Sequence, residues 1–400
     1  RGRDLLSLQA VKKSGVSQMR NLSSLYCHAK VVILQIFGVF PQGKCQAEIK
    51  SKNNDIMTIG KIDLGERPVL LAPMEDVTDA SFRGICREQG ADMVYTEFIP
   101  SEGLIRDAKK AYAKLKTTDA EAPIGIQIYG SDPDAMVEAA RMADHADELV
   151  GGHGCDVIDI NFGCPVSKIA GRGAGSGMMK DPDKMVMITK RIVEAVGKPV
   201  TVKTRLGWDE SSKIIVELAE RLQDTGVKAL TIHGRTRCQM YKGEADWTLI
   251  GEVKRNPRMH IPIIGNGDIN SPRKAKEAFE RYGVDGIMVA RASFGHPWIF
   301  KEIKHFLATG EELPPLGVRE RVELAKRQMR LSLDLKGVPT GVYEMRRHLS
   351  CYFKGLPDFK EARMRLVTEN DPTEVFKILD YIAEKWGDTD ISEANSVYGL

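Results

Sequence analysis

Nowhere in this 400-residue sequence do about eighteen apolar residues run together, the length a helix needs to cross a bilayer, so a helical membrane span is excluded. Cysteine is sparse and unpatterned. The seven residues (Cys27, Cys45, Cys86, Cys155, Cys164, Cys238, Cys351) are odd in number, form no CxxC pair and share no zinc spacing with histidine. A disulfide framework and a metal site are therefore not expected, and the thiols read as reduced in a cytoplasmic protein. A large excess of one charge is missing too, because 58 Lys and Arg against 55 Asp and Glu leave only +3. A chain-wide nucleic-acid coat is excluded, and only a localised basic patch can serve such a partner.

What is present begins at residue 57. Residues 1–56 carry Lys, Arg, Ser and Asn, a late apolar patch "VVILQIFGVF" (31–40) and no clear small-residue cleavage site after it. They read as an extension that is non-native or disordered, with the natural start at Met57.

From residue 68 onward, strand-like and helix-like segments alternate. The strands are expected at 68–73, 93–98, 124–130, 157–163, 200–207, 229–235, 261–269 and 286–293. Most are short apolar runs, as expected of strands buried on both faces. Helical stretches such as 132–149 and 211–226 separate them; the latter spaces Ile215, Leu218 and Leu222 along one face and stops at Gly226. Eight such units predict an α/β fold, a (β/α)8 TIM barrel over 57–312; a doubly wound open sheet is the rival. "LPPLG" (313–317) marks a boundary, and a small all-α C-terminal domain is expected over 313–388, with a tail at 389–400. Within 318–367, twelve Lys and Arg face six Asp and Glu, a net of +6, with Tyr343, Tyr352 and Phe353 among them. That composition suits a grip on a phosphate backbone and equally a solvated face over an aromatic core.

Barrels carry their chemistry at the C-terminal ends of the strands. Those ends are polar here: Pro73-Met74-Glu75-Asp76, Gln127, Asn161 leading to Cys164, Lys203 with Arg205, His233 with Arg235, "GNGD" (265–268), and Ala290-Arg291. The turns after strands seven and eight, around Asn266-Gly267-Asp268 and Ala290-Arg291, form the usual phosphate site of such barrels. Lys203 can hold negative charge on a reduced flavin ring, Gln127 and Asn266 offer amide donors and acceptors, and His233 can donate to a phosphate or carbonyl. The set suits flavin mononucleotide, FMN.

These stretches resemble the tRNA-dihydrouridine synthases, most closely the bacterial B-type branch. The resemblance rests on "LLAPMEDVTDASFR" (70–83), "DINFGCPVSKIAGRGAGSGMMKDP" (159–182), "LTIHGRTRCQMYKGEADW" (230–247), "IPIIGNGDI" (261–269) and "GIMVARASFGHPWIF" (286–300). The helical tail "RRHLSCYFKGLPDFKEARMRLV" (346–367) resembles the family's RNA-binding domain. The resemblance implies FMN contacts at the Met74 turn (Pro73 to Asp76), Gln127, Lys203, His233, Asn266 to Asp268 and Ala290-Arg291. It implies a catalytic Cys164, uracil-reading Asn161 and Arg205, and an RNA or base contact at Lys168. Two departures stand out: Glu75-Asp76 where many members have small residues, and Ala290 where many have glycine.

The implied reaction saturates the C5–C6 double bond of uridine in tRNA, with NADPH or NADH as the hydride source and Cys164 as proton donor to C5. An alternative is an FMN barrel acting on a free small molecule, like dihydroorotate dehydrogenase or old yellow enzyme, which has no need of a basic tail. Cys86, Cys155, Cys238 and Cys351 read as small buried hydrophobes. No membrane or obligate protein partner is expected. A chain beginning at Met57 should fold and bind its cofactor as the full chain does; loss of bound cofactor on that truncation would refute the reading of residues 1–56.

Overall fold

A computed structural model describes residues 56–389. The expected 1–56 extension and the 389–400 tail lie outside the described residues, apart from Ile56 and Thr389.

Eight strands form the centre: β1 (Val69–Leu71), β2 (Val94–Tyr95), β3 (Ile124–Tyr129), β4 (Val157–Asn161), β5 (Val200–Arg205), β6 (Ala229–His233), β7 (Ile263–Asn266) and β8 (Gly286–Val289). They pair in parallel in the order β1-β8-β7-β6-β5-β4-β3-β2. A parallel bridge between Leu70 and Met93 joins the two ends. Around it Leu71 N–H donates to the Met93 carbonyl and Asp92 N–H to that of Val69, both at 2.9 Å. The sheet therefore closes into a TIM barrel, and the doubly wound alternative falls.

All eight strands are shorter than the ranges expected from sequence, and for two of them the reason is visible. The expected 93–98 strand splits into β2 and a separate Ile99–Pro100 piece paired further along β3. Between them Thr96 turns its hydroxyl to accept from Gln127 N–H at 3.1 Å. The expected 261–269 strand ends at Asn266, because Gly267 (φ 125°) and Asp268 (φ 53°) leave the extended region.

Alternation along the strands sorts the barrel interior into layers. The lower layer is apolar: Leu70, Met93, Val157, Ala229 and Ile264 cluster with Met57, Ile59 and Leu64 of the segment that enters β1. Gly125 belongs here for want of space, since a Cβ on it would lie 2.5 Å from the Tyr95 ring. One step up the interior is polar, with Gln127, Asp159, Thr201 and Thr231 all buried. Above them stand Asn161, Lys203, His233 and Asn266.

Beyond the barrel, helices Val318–Lys336, Thr340–Tyr352, Lys360–Thr368 and Pro372–Trp386 follow the expected helical pattern closely. Their apolar faces form a second core around Val322, Met329, Leu349, Phe353 and Leu379, and the barrel contributes Trp298 to it. Apolar faces meeting one another, not helix propensity, hold these helices. The first of them packs on barrel helix α1 (Ala80–Glu88). Gly295 of the loop after β8 (φ 71°) is pressed against Cys351, leaving 2.3 Å between an added Cβ and the cysteine Cβ. Across the seam Arg327 pairs with Glu88, Lys336 with Asp79, and Arg347 with Asp76.

The basic face is smaller than the count over 318–367 suggests. Arg319, Lys326, Arg327, Lys336 and Arg347 are tied into ion pairs, and Arg346 caps the carbonyls of Thr368 and Glu369. Lys360, Arg363 and Arg365 stay exposed on one short helix.

His348 sits in this seam, buried between the rings of Phe82 (4.7 Å) and Phe294 (5.2 Å). Burial, aided by the nearby Lys336 and Arg347, holds its imidazole down at about 4. The ring is neutral when folded, whereas an unfolded histidine gains its proton near pH 6.5. Its contribution to stability is thus complete above pH 6.5 and is lost as pH falls toward 4. At pH 5 the expected loss is on the order of 2 kcal/mol. Urea unfolding at pH 7 and pH 5 should differ by about that amount, and the difference should shrink in His348→Gln; an equal difference in both proteins would remove His348 as its source.

Candidate active site

The polar layer at the strand ends floors a cavity of about 430 Å³. Of the residues singled out from sequence, Pro73, Met74, Glu75, Asn161, Cys164, Lys203, Arg205, His233, Asn266, Gly267, Asp268, Ala290 and Arg291 line it. Strand register brings them together: Asn161 pairs with Lys203, Arg205 with His233, and His233 with Asn266.

Three sequence candidates lie off this lining. Gln127 is fully buried, donating to Asp159 Oδ2 at 2.6 Å and accepting from Asn161 Nδ2 at 2.9 Å. Asp76 is exposed, with its N–H on Glu97 and its carboxylate 3.7 Å from Arg347. Lys168 is exposed on the short helix Ser167–Ala170. Glu75 does reach the cavity, but its carboxylate is paired with Lys114 at 2.6 Å. Ala290 adopts φ −117°, outside the left-handed region that would call for glycine.

Cys164 is held by its backbone. Asn161 Oδ1 accepts from the N–H groups of Gly163 (3.0 Å) and Cys164 (2.9 Å). The Cys164 carbonyl accepts from Ser176 through both its hydroxyl (2.8 Å) and its N–H (3.1 Å). Arg205 Nε grips the Gly163 carbonyl at 2.7 Å, while its Nη1 bonds the carbonyls of Thr236 and Met240. Asn161 and Arg205 thus fix the turn that carries the thiol, beyond any contact they offer a ligand. Burial pushes the Cys164 thiol up, against the pull of the Val166 N–H, Arg205 and Lys203. The thiol is therefore protonated at neutral pH.

Opposite charges are scarce around the cations. Burial, with Arg205 beside it, pulls the Lys203 ammonium down to about 8, and burial pulls the Arg205 guanidinium down to about 10. Among the described residues, Lys203 Nζ has neither a hydrogen-bond acceptor nor an ion-pair partner. An ammonium in that position favours a ligand bearing negative charge or an electron-rich carbonyl. Burial and the surrounding Arg205 and Lys203 hold His233 well below its usual range, so its ring is neutral. Arg235 Nη1 lies 3.2 Å from His233 Nε2. A guanidinium only donates, so Nε2 accepts and the ring proton sits on Nδ1.

The wall beyond His233 is braced by Asp268, which accepts from Arg235 (2.6 Å), Ala245 N–H (2.7 Å) and Arg291 (3.1 Å). Arg235 is 1% exposed and also bonds the carbonyls of Lys242 and Gly243. It folds the 236–245 loop over the mouth and brings Tyr241 to the lining, near Arg205 (5.7 Å) and Arg291 (5.4 Å). Tyr241, Phe98 and His296 are lining residues that the strand-end argument did not reach. Tyr241 and His296 stand several residues past a strand end, where the path of a loop and not strand period sets position, and Phe98 lies in the break between Val94–Tyr95 and Ile99–Pro100. Of the cysteines read as buried hydrophobes, Cys86 and Cys155 are buried, whereas Cys351 is partly exposed and Cys238, carried on that same surface loop, is exposed.

Residues 70–385 match the family model described as dihydrouridine synthase (Dus). The chain is 39% identical over 344 residues to a probable tRNA-dihydrouridine synthase of Rickettsia conorii, covering 86% of this chain and 99% of that protein. It is 38% identical over 330 residues to tRNA-dihydrouridine synthase B of Proteus vulgaris, covering 82% and 99%. It is 38% identical over 308 residues to the protein of that name in Pseudomonas aeruginosa, covering 77% and 90%.

The raised thiol has a direct test. Alkylation of Cys164 by iodoacetamide should be slow at pH 7.5 and should climb only above the ordinary thiol range near 8.5. Exposed Cys238 should react first. Rapid labelling of Cys164 below pH 8 would contradict a protonated thiol.

Proposed function

This chain belongs to the dihydrouridine synthase family, and from that premise we propose that Cys164 delivers the proton, and the barrel mouth holds the flavin, in the reduction of uridine in tRNA to dihydrouridine. The enzyme is a flavin-dependent oxidoreductase and its substrate is tRNA. The finer assignments are ours: FMN as the flavin, NADPH or NADH as reductant, and a cytoplasmic setting.

The cavity chemistry fits a flavin. Lys203 is a half-buried ammonium at the cavity floor with no hydrogen-bond or ion-pair partner among the described residues, suited to the electron-rich edge of the ring. Asn266 and the Nδ1–H of neutral His233 supply hydrogen-bonding groups beside it. Arg291 and the turns at Gly267-Asp268 and Ala290-Arg291 offer a cation and backbone donors for a phosphate. Pro73 and Met74 close the opposite wall. Glu75 keeps its carboxylate on Lys114, which spares that wall a free negative charge. Gln127 and Asp76 act at one remove, Gln127 from beneath through Asn161 and Asp76 by tying the wall to Arg347. Bound flavin supplies hydride for C6 of the uracil.

The remaining work falls to the chain. A uridine in folded tRNA must be turned out to reach a cavity this enclosed. Arg205, anchored through Nε and Nη1, is placed to meet a uracil carbonyl, and Asn161 borders the same space. Cys164 is the proton source for C5. The observation that carries this role is its placement: Asn161, Ser176 and Arg205 clamp the turn that sets the thiol at the cavity mouth, and burial, which pushes the thiol up, suits it to a general acid and not a thiolate nucleophile. Lys168, Arg172 and Lys180 on the loop beyond it, with Lys360, Arg363 and Arg365 of the helical domain, are assigned to the RNA backbone.

Cys164→Ala should keep its bound flavin while dihydrouridine formation on uridine-containing tRNA falls by about 10²- to 10⁴-fold. Near-normal turnover would remove Cys164 from the mechanism. In the unaltered enzyme, tRNA and not free uridine or orotate should reoxidise the reduced flavin; the reverse would favour a small-molecule oxidoreductase.

A further inference from the structure

Asp159 has no part in the reading above, yet it lies at the centre of the polar layer. It is 1% exposed on β4, two residues before Asn161 and pointing to the same side. Thr201 Oγ1 approaches its Oδ1 at 2.5 Å and Gln127 Nε2 its Oδ2 at 2.6 Å. A carboxylate accepts and cannot donate, so both neighbours are donors. Gln127 is thereby oriented: its NH2 turns to Asp159 and its Oε1 is left for Asn161 Nδ2, at 2.9 Å. Asn161 is oriented in turn, with Oδ1 toward the N–H groups of Gly163 and Cys164.

The two ends of this relay are not interchangeable. Backbone N–H groups only donate and a carboxylate only accepts, so the amides between them have one polarity open to them. Without an acceptor at 159, the Gln127 amide can rotate by half a turn. Two NH2 groups then face each other at the Gln127–Asn161 contact, and the hydrogen bonds that hold the turn compete with that mismatch. We propose that Asp159 is a positioning residue of the reaction: through Gln127 and Asn161 it holds the Gly163–Cys164 turn in the geometry for proton transfer. The inference rests on Cys164 as the proton donor.

The titratable groups facing Asp159 are Lys203 on adjacent β5, which favours the carboxylate, and Tyr95 on β2, two strands away. Burial pushes the Asp159 carboxyl up to about 6. Protonation leaves the relay intact, since the carbonyl oxygen still accepts from Gln127 while the OH turns to Thr201. By the same reasoning an asparagine can replace the aspartate, with Oδ1 toward Gln127 and Nδ2 toward the Thr201 hydroxyl.

The test compares flavin-loaded Asp159→Ala, Asp159→Asn and Cys164→Ala with the unaltered chain. The two readouts are reoxidation of the reduced flavin by uridine-containing tRNA and hydrogen–deuterium exchange of the peptide spanning 161–166. Asp159→Ala should slow reoxidation about 10- to 100-fold and speed exchange at Gly163 and Cys164 about ten-fold or more. Asp159→Asn should restore most of both. Normal exchange and turnover in Asp159→Ala, or equal defects in the Ala and Asn variants, would overturn the proposal. If Asp159→Ala fails to fold, Gln127→Leu with Asp159 intact must show the same pair of changes, and normal values there overturn it equally. Normal turnover in Cys164→Ala would sink the proton-donor reading itself. An inactive Cys164→Ala beside a normal Asp159→Ala would sink the positioning role alone.

Discussion

Parallel register sets Gln127 beside Asp159, Asn161 beside Lys203 and Arg205 beside His233, and the whole mouth of the barrel depends on it. A slip of one residue in β4 or β5 would turn these side chains outward and bring Ile160 or Thr204 in, because side chains alternate along a strand. The register is fixed below by the apolar layer. Tyr95 fills the space that Gly125 leaves, and Val157, Ala229 and Ile264 close around Met57 and Ile59. The polar ring at the mouth thus inherits its geometry from packing two layers beneath it.

Burial in this ring shapes its chemistry. The same desolvation that keeps the Cys164 thiol protonated pulls Lys203 toward neutrality and keeps His233 uncharged. One low-dielectric setting yields a proton donor, a responsive cation and a neutral imidazole. Lys203, Arg205, Arg235 and Arg291 make the ring dense in cations. Within the protein, Asp268 offsets Arg235 and Arg291, and it spends its carboxylate on bracing the wall.

The helical domain is joined to the site's own scaffold. Gly295 and Trp298, a few residues beyond the Ala290-Arg291 turn, are packed against Cys351 and into the helical core. Asp76, beside the Met74 turn, meets Arg347. The helical domain and the walls of the barrel cavity therefore share contacts on two sides. Most cations of the first two helices serve that seam and its internal pairs, which leaves the short Lys360–Thr368 helix as the more open basic surface.

Much of this was legible in sequence because barrel logic is local. Apolar runs mark strands, and the residue closing each run falls at the mouth, so Cys164, Lys203, Arg205, His233 and Asn266 could be named from spacing and motif. The division of labour among them was not. Gln127, read as a ligand contact, is sealed beneath Asn161, since its depth depends on strand tilt and stagger that no single strand encodes. Tyr241 and His296 reach the cavity through loops folded by long-range partners such as Arg235 and Asp268. The count of twelve basic residues could not tell a face from a seam. By itself the sequence determined the succession of elements, the family and the thiol at the barrel mouth, all carried by short-range pattern. Only the tertiary structure decided which polar groups look into the cavity and which hold one another, because that depends on hydrogen bonds between residues more than thirty positions apart.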